Sequence, residues 1–224
     1  MEQALEQQRR EQQEEILRGL EARFRGMLSK QLAINKSTDA LVAKGAALWV
    51  HADELNIASL SQDETRLSEE AAQALLILKE EGTTIVFPRM VTQMQQDMQE
   101  VARRLGAKTL DPLTVQLEGD IADALKELIG AIEQLRGELK ENQSGSGGGG
   151  SGPGNEPLLP DSAELKLLRS CQGRVNHLTQ EFASRLQGDT PLDAESRASL
   201  IKVAQRQREV AEMARKMNER ITGQ

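Results

Sequence analysis

Residues 87–106 read FPRMVTQMQQDMQEVARRLG. Within them Phe87, Val91, Met94, Met98, Val101 and Leu105 stand 4, 3, 4, 3 and 4 residues apart. On a helix that spacing stacks every apolar side chain along one narrow stripe, with Gln, Asp, Glu and Arg left for the opposite face. The preceding Thr83-Thr-Ile-Val-Phe87 is β-prone, but Pro88 suits the first turn of a helix, and Gly106 closes the pattern. The stretch therefore predicts a helix whose buried seam is Phe87, Val91, Met94, Met98, Val101 and Leu105.

The same rhythm recurs on either side. Downstream, Ile121, Leu125, Leu128, Ile132, Leu135 and Leu139 repeat the spacing. Asp111-Pro112 ahead of them reads as an N-cap followed by a first-turn proline, which predicts a helix over 112–141. Gly119, Gly130 and Gly137 lie inside it, each about 1 kcal/mol worse than alanine, so packing against a neighbour must supply its stability. Upstream, Ser61-Gln-Asp-Glu64 has the form of a capping box and Gly82 that of a C-terminal stop, which predicts a helix over 62–81.

At the amino terminus Leu20, Met27, Ile34, Leu41 and Leu48 recur every seventh residue, with Leu17 and Phe24 at the second seam position. That second position then passes to Gln31, Thr38 and Gly45, so the helix is expected to hold to about Asn35 and to fail towards His51. Before Ile16 the text is Gln, Glu and Arg around Leu5, an exposed extension.

Residues 142–161 contain seven glycines and three prolines and no Lys or Arg, including the run SGSGGGGSG. Such a segment is expected to be a flexible linker reaching roughly 25 Å. Beyond it, Asp161 and Glu164 frame another helix start, with Leu168, Cys171, Val175, Leu178, Phe182 and Leu186 on one face. A last helix begins near Thr190-Pro191 and carries Val203, Val210, Met213, Met217 and Ile221. The two together read as a helical hairpin. The expected organisation is a helical region over 1–141, a linker over 142–161 and a hairpin over 162–224. The fold class is all-α, with amphipathic helices in an extended antiparallel bundle or coiled coil.

Composition agrees with that class. The 224 residues include three Phe, one Trp and no Tyr, too few aromatics for a large mixed core, and 28% of them are charged. Residues 1–141 hold 17 basic and 25 acidic groups, and 162–224 hold 11 and 8. Neither balance, without a clustered Arg/Lys stripe, makes a phosphate-binding footprint, so no nucleic-acid partner is expected. No run approaches the roughly 18 apolar residues that cross a bilayer, and MEQALEQQRREQQEE is unlike a signal peptide. Met1 opens directly into helical text, as though a leader had been lost upstream. The expected location is cytoplasmic if Met1 is the true start and the cell envelope if a leader is missing.

Candidate chemistry is sparse. His51 and His177 are the two histidines, and Cys171, the single cysteine, is six residues from His177, on another side of a helix. His177 and Glu181 share a face, but two ligands do not make a metal site. The di-iron signature of paired Glu-x-x-His helices is missing, as is a phosphate loop. No cofactor is expected, and the chain reads as not an enzyme. Met90, Met94 and Met98 form one soft stripe, better explained as core than as an adaptable groove. Trp49, beside His51, would be a partner contact if exposed and core if folded onto the seam.

The runs Leu5-Glu-Gln-Gln-Arg-Arg-Glu-Gln-Gln-Glu-Glu-Ile16, Leu20-Glu-Ala-Arg-Phe24 and Glu80-Glu-Gly-Thr-Thr, then the Gly-rich break before Leu165-Lys-Leu-Leu-Arg169, resemble uncharacterised coiled-coil proteins of planctomycete-type bacteria. The resemblance covers most of the chain. It implies no activity, and it implies an export signal upstream. The expected function is a structural or protein-interaction role, a scaffold that self-associates or binds another helical protein. The candidate interaction seam is the six-residue stripe of 87–105 together with Leu168, Val175, Leu178 and Phe182. The alternative is an exported accessory subunit of a cell-envelope complex.

Overall fold

The computed structural model describes residues 2–144, 158–185 and 194–223, and their side chains except at 2–6, 10, 138–144, 184–185 and 194–196. They form six α-helices, and no strand occurs among the described residues. The chain is all-α and divides into two compact units, Met1–Leu159 and Pro160–Gln224. The expected boundaries at 141 and 162 shift accordingly. Residues 142–144 belong to a helix, while Leu158 and Leu159 are buried and the Leu158 N–H donates to Thr83 Oγ1 at 2.7 Å. Residues 145–157 of the expected linker lie outside the described residues.

In the first unit α1 spans Glu2–Lys44, past the Asn35 to which it was expected to hold, and it ends at the start of the Lys44–His51 stretch where failure was expected. Leu17, Leu20, Phe24, Met27, Ile34 and Leu41 are buried, and so are Gln31 and Thr38 at the positions where the seam had seemed to decay. A 3-10 turn, Ala46–Leu48, follows Gly45, whose φ of 81° is the left-handed conformation glycine adopts without a Cβ penalty. Trp49 is half-buried, and its indole Nε1–H donates to the Leu41 carbonyl at 3.0 Å, a second donor there beside the Gly45 N–H.

Helix α2, His51–Glu81, begins eleven residues before the expected start at 62. The N-cap is Val50, and Asp53 in the first turn reaches back to it, its Oδ2 accepting the Val50 N–H at 2.7 Å. The Lys44 ammonium and that backbone bond hold its carboxyl below the usual carboxylate range. Ser61 is mid-helix instead, with its Oγ donating to the Ala102 carbonyl at 2.8 Å, and Glu64 is buried. The stop falls where expected, at Gly82 with φ 73°.

Helix α3, Val86–Gly106, starts two residues before Pro88 and buries its whole stripe, with Phe87 packed against Phe24 at 6.1 Å between ring centres. Helix α4, Pro112–Ser144, is capped by Asp111, whose Oδ1 accepts the Thr114 N–H at 3.0 Å. Arg104 is buried at this corner and donates to Thr114 Oγ1 at 2.9 Å and Asp111 Oδ2 at 2.6 Å, so the turn is held from inside. Ile121, Leu125, Leu128 and Ile132 are buried. Contacts run α1 to α2, α2 to α3, α3 to α4 and α4 back to α1, so each helix has two neighbours around one core.

The second unit pairs α5, Asp161–Arg185, with α6, Ala194–Thr222. The buried face of α5 is Ala163, Leu167, Cys171, Val175, Leu178 and Phe182, so Leu167 takes the place expected for Leu168, which is half-buried. Val203, Val210, Met213 and Met217 are buried on α6, while Ile221 is exposed. Gln172 and Gln207 exchange amide hydrogen bonds of 3.0 and 3.1 Å between the helices. Leu186, Thr190 and Pro191 lie outside the described residues.

Candidate functional site

The polar groups that need an explanation in the first unit are the ones a core would ordinarily reject. Gln31 and Thr38 of α1, Glu64 of α2 and Glu118 of α4 each have no exposed surface. Gln31 and Thr38 are two turns apart on one face of α1, so they set two polar levels in an otherwise apolar core. At one level Gln31 Nε2 spends both protons, on Glu64 Oε1 at 2.5 Å and on Asn35 Oδ1 at 2.9 Å. At the other, the Thr38 hydroxyl donates to Glu118 Oε1 at 2.8 Å.

These bonds satisfy half of each group. Gln31 Oε1, Glu64 Oε2 and Glu118 Oε2 are buried with no partner. An unpaired buried carboxylate is among the most costly arrangements a core can hold, and it is relieved by taking up a proton. Burial pushes Glu64 up to about 8, against the Gln31 hydrogen bond and with help from the charges of Glu118 and Asp63. Burial likewise pushes Glu118 up to about 7, against the Thr38 hydrogen bond and with help from Asp39. Glu21, ten residues before Gln31 on the same helix, shows the opposite case. Burial raises it, but hydrogen bonds from Arg136 and Arg25 outweigh that and hold it below the usual carboxylate range.

The pair does not make a metal centre: among the described residues no group of three His, Cys, Asp or Glu side chains is placed to hold an ion. His177 is exposed on α5, Cys171 is buried with its Sγ accepting from Arg174 Nη2 at 3.8 Å, and His51 is exposed at the start of α2.

The expected interaction seam is divided between the two units. Phe87, Val91, Met94, Met98, Val101 and Leu105 lie in the core of the first, as does Met90, so this stripe is occupied by the chain's own helices. Val175, Leu178 and Phe182 are buried in the second unit, and Leu168 stands at the edge of that face. Exposed apolar side chains cluster at the corner between α1 and α2, where Leu48, Val50 and Leu55 are 66, 58 and 59% exposed, while Leu32, Val42 and Leu76 are exposed elsewhere along the first unit. Sequence reasoning did not name this corner, because Leu48 continues the heptad although it lies in the stretch where the helix was expected to fail. The signal available was Gly45, which ends the helix before the heptad reaches Leu48.

No protein-family model, no curated protein and no solved structure matches this chain. No helix among the described residues is long and apolar enough to cross a membrane.

Proposed function

We propose that this chain is a non-enzymatic helical interaction protein, a scaffold built from an antiparallel four-helix bundle with a helical hairpin after it. The antiparallel reading is supported by the run of bonds along α1. Arg23, Lys30 and Lys44 pair with Gln73, Glu70 and Asp53 of α2, and Arg25 and Thr38 pair with Glu133 and Glu118 of α4. As one number rises its partner falls, which is what oppositely directed neighbours produce.

The observation that carries the interaction role is the exposed apolar corner of Leu48, Val50 and Leu55. Three large side chains kept in water within eight residues are a contact surface in waiting, since scattered exposed leucines need no reason but a cluster does. The ion pairs Lys44 with Asp53 and Lys108 with Glu54 rim it, so it carries no net charge to attract a polyanion. Its partner is a second copy of the chain or another helical protein.

Light scattering after size exclusion, over a wide concentration range, tests self-association, and crosslinking in the native cell tests a second protein. Replacing Leu48, Val50 and Leu55 together by serine should abolish the complex while leaving the melting temperature within a few degrees, because none of the three is buried. A wild-type chain that stays monomeric and crosslinks to nothing would sink the reading.

A further inference from the structure

We propose that Glu64 and Glu118 form a proton-operated latch: as neutral acids they lock α1 onto α2 and α4, and loss of their protons to solvent loosens α1 from both. The argument rests on which atoms are paired. Each carboxyl reaches α1 through Oε1 alone, to Gln31 or Thr38, and leaves a buried Oε2 without a donor. An ionised carboxylate can only accept, so as anions both groups would hold an uncompensated charge inside the core. A proton on Glu64 Oε2 converts it to a donor, and the Gln31 amide beside it has one unpaired acceptor, Oε1. Amide and acid then close on each other through two hydrogen bonds, and two orphans disappear together.

Among the described residues no cation is bonded to either carboxyl. The charges acting on Glu64 are Glu118 of α4 and Asp63 of α2, and the one acting on Glu118 is Asp39 of α1, all acidic. On α3 the core face is Met94, Met98, Val101 and Leu105. The buried charged residues of that helix are Asp97 and Arg104, and Arg104 is bound to Asp111, Glu100 and Thr114, the last of these one turn of α4 from Glu118.

Both groups lie above the ordinary glutamate value of 4.5 in the folded chain. The folded state therefore holds protons the unfolded state has released. The stability these two acids contribute is complete below about pH 4.5 and drains away as pH rises through about 7 and about 8. This latch does not depend on the interaction role proposed above, since it concerns the first unit alone.

The test uses the full chain, with the infrared band of protonated carboxyl groups followed from pH 5 to pH 9 beside amide hydrogen exchange. At pH 6 the wild type should retain a protonated-carboxyl band that Glu64→Gln and Glu118→Gln each reduce and the double variant removes. Raising the pH to 9 should cut the protection of α1 amides by about a hundredfold after correction for intrinsic exchange. The double variant, neutral at both sites, should keep its α1 protection. A wild-type band already lost by pH 6 would overturn the latch, as would equal loosening of α1 in the wild type and the double variant. If the variants fail to fold, the wild-type band and its pH midpoint decide alone.

Discussion

Two glutamates without exposed surface, Glu64 in the first unit and Glu164 in the second, are buried by opposite means. Glu164 meets a guanidinium: its Oε2 accepts from Arg220 Nη2 at 2.7 Å, and Asp161 joins the same arginine. Glu64 meets an amide and no cation. The difference follows from the architecture around each. Arg220 lies in the last turn of α6 and stays a quarter exposed, so a charge there keeps part of its hydration while it clips α5. Glu64 faces a core closed by four helices, where a guanidinium would have to shed its water entirely, and a proton is the smaller counter-charge. Acids near the surface are therefore held by ionic contact, as Glu164 is by Arg220 and Glu21 by Arg136, while Glu64, deep in the bundle, is held by neutralisation.

The sharpest way to break this comparison is to place an acid in the first unit where no donor waits. Val101 has no exposed surface and sits on the apolar face of α3. Val101→Asp should cost more than about 4 kcal/mol and abolish cooperative melting of the first unit by circular dichroism. Retention of a wild-type melt would show that this core accepts carboxyls without a partner. The next largest effect belongs to the second unit. Arg220→Met removes the guanidinium from Glu164 and should cost about 3 kcal/mol in urea unfolding, with Glu164→Gln in the same chain recovering much of it. A cost below about 1 kcal/mol would show that the Arg220 contact is not what holds Glu164 in place. The smallest effect sharpens the first unit from the other side. A Cβ at Gly130 would meet no atom within 4 Å, so Gly130→Ala should gain about 0.5–1 kcal/mol, read as a rise in melting temperature.

The helices that the sequence disclosed most fully are those whose stabilising contacts are periodic. The stripe from Phe87 to Leu105 is buried without exception, and Asp111 caps α4 as its place before Pro112 predicts. The polar levels were not legible in the same way. Gln31 and Thr38 read locally as interruptions, because the acids that satisfy them are 33 and 80 residues away along the chain. The capping-box pattern at Ser61 failed for a related reason. Ser61 and Glu64 are capping residues by type, but tertiary partners on α3 and α1 claimed both side chains. On α5 the offset of one residue, Leu167 for Leu168, arose because adjacent leucines give periodicity nothing to choose between, and small Ala163 marks the true face.

Trp49 turns the α1–α2 corner into a built-in optical probe. The chain has one tryptophan and no tyrosine, so near-ultraviolet emission from the whole protein originates at a single indole. That indole donates its N–H to the Leu41 carbonyl, in the last turn of α1. Its colour and quenching therefore report whether that end of α1 is still wound, without any label, and they do so in a turn that also separates Leu48 and Val50 from the core.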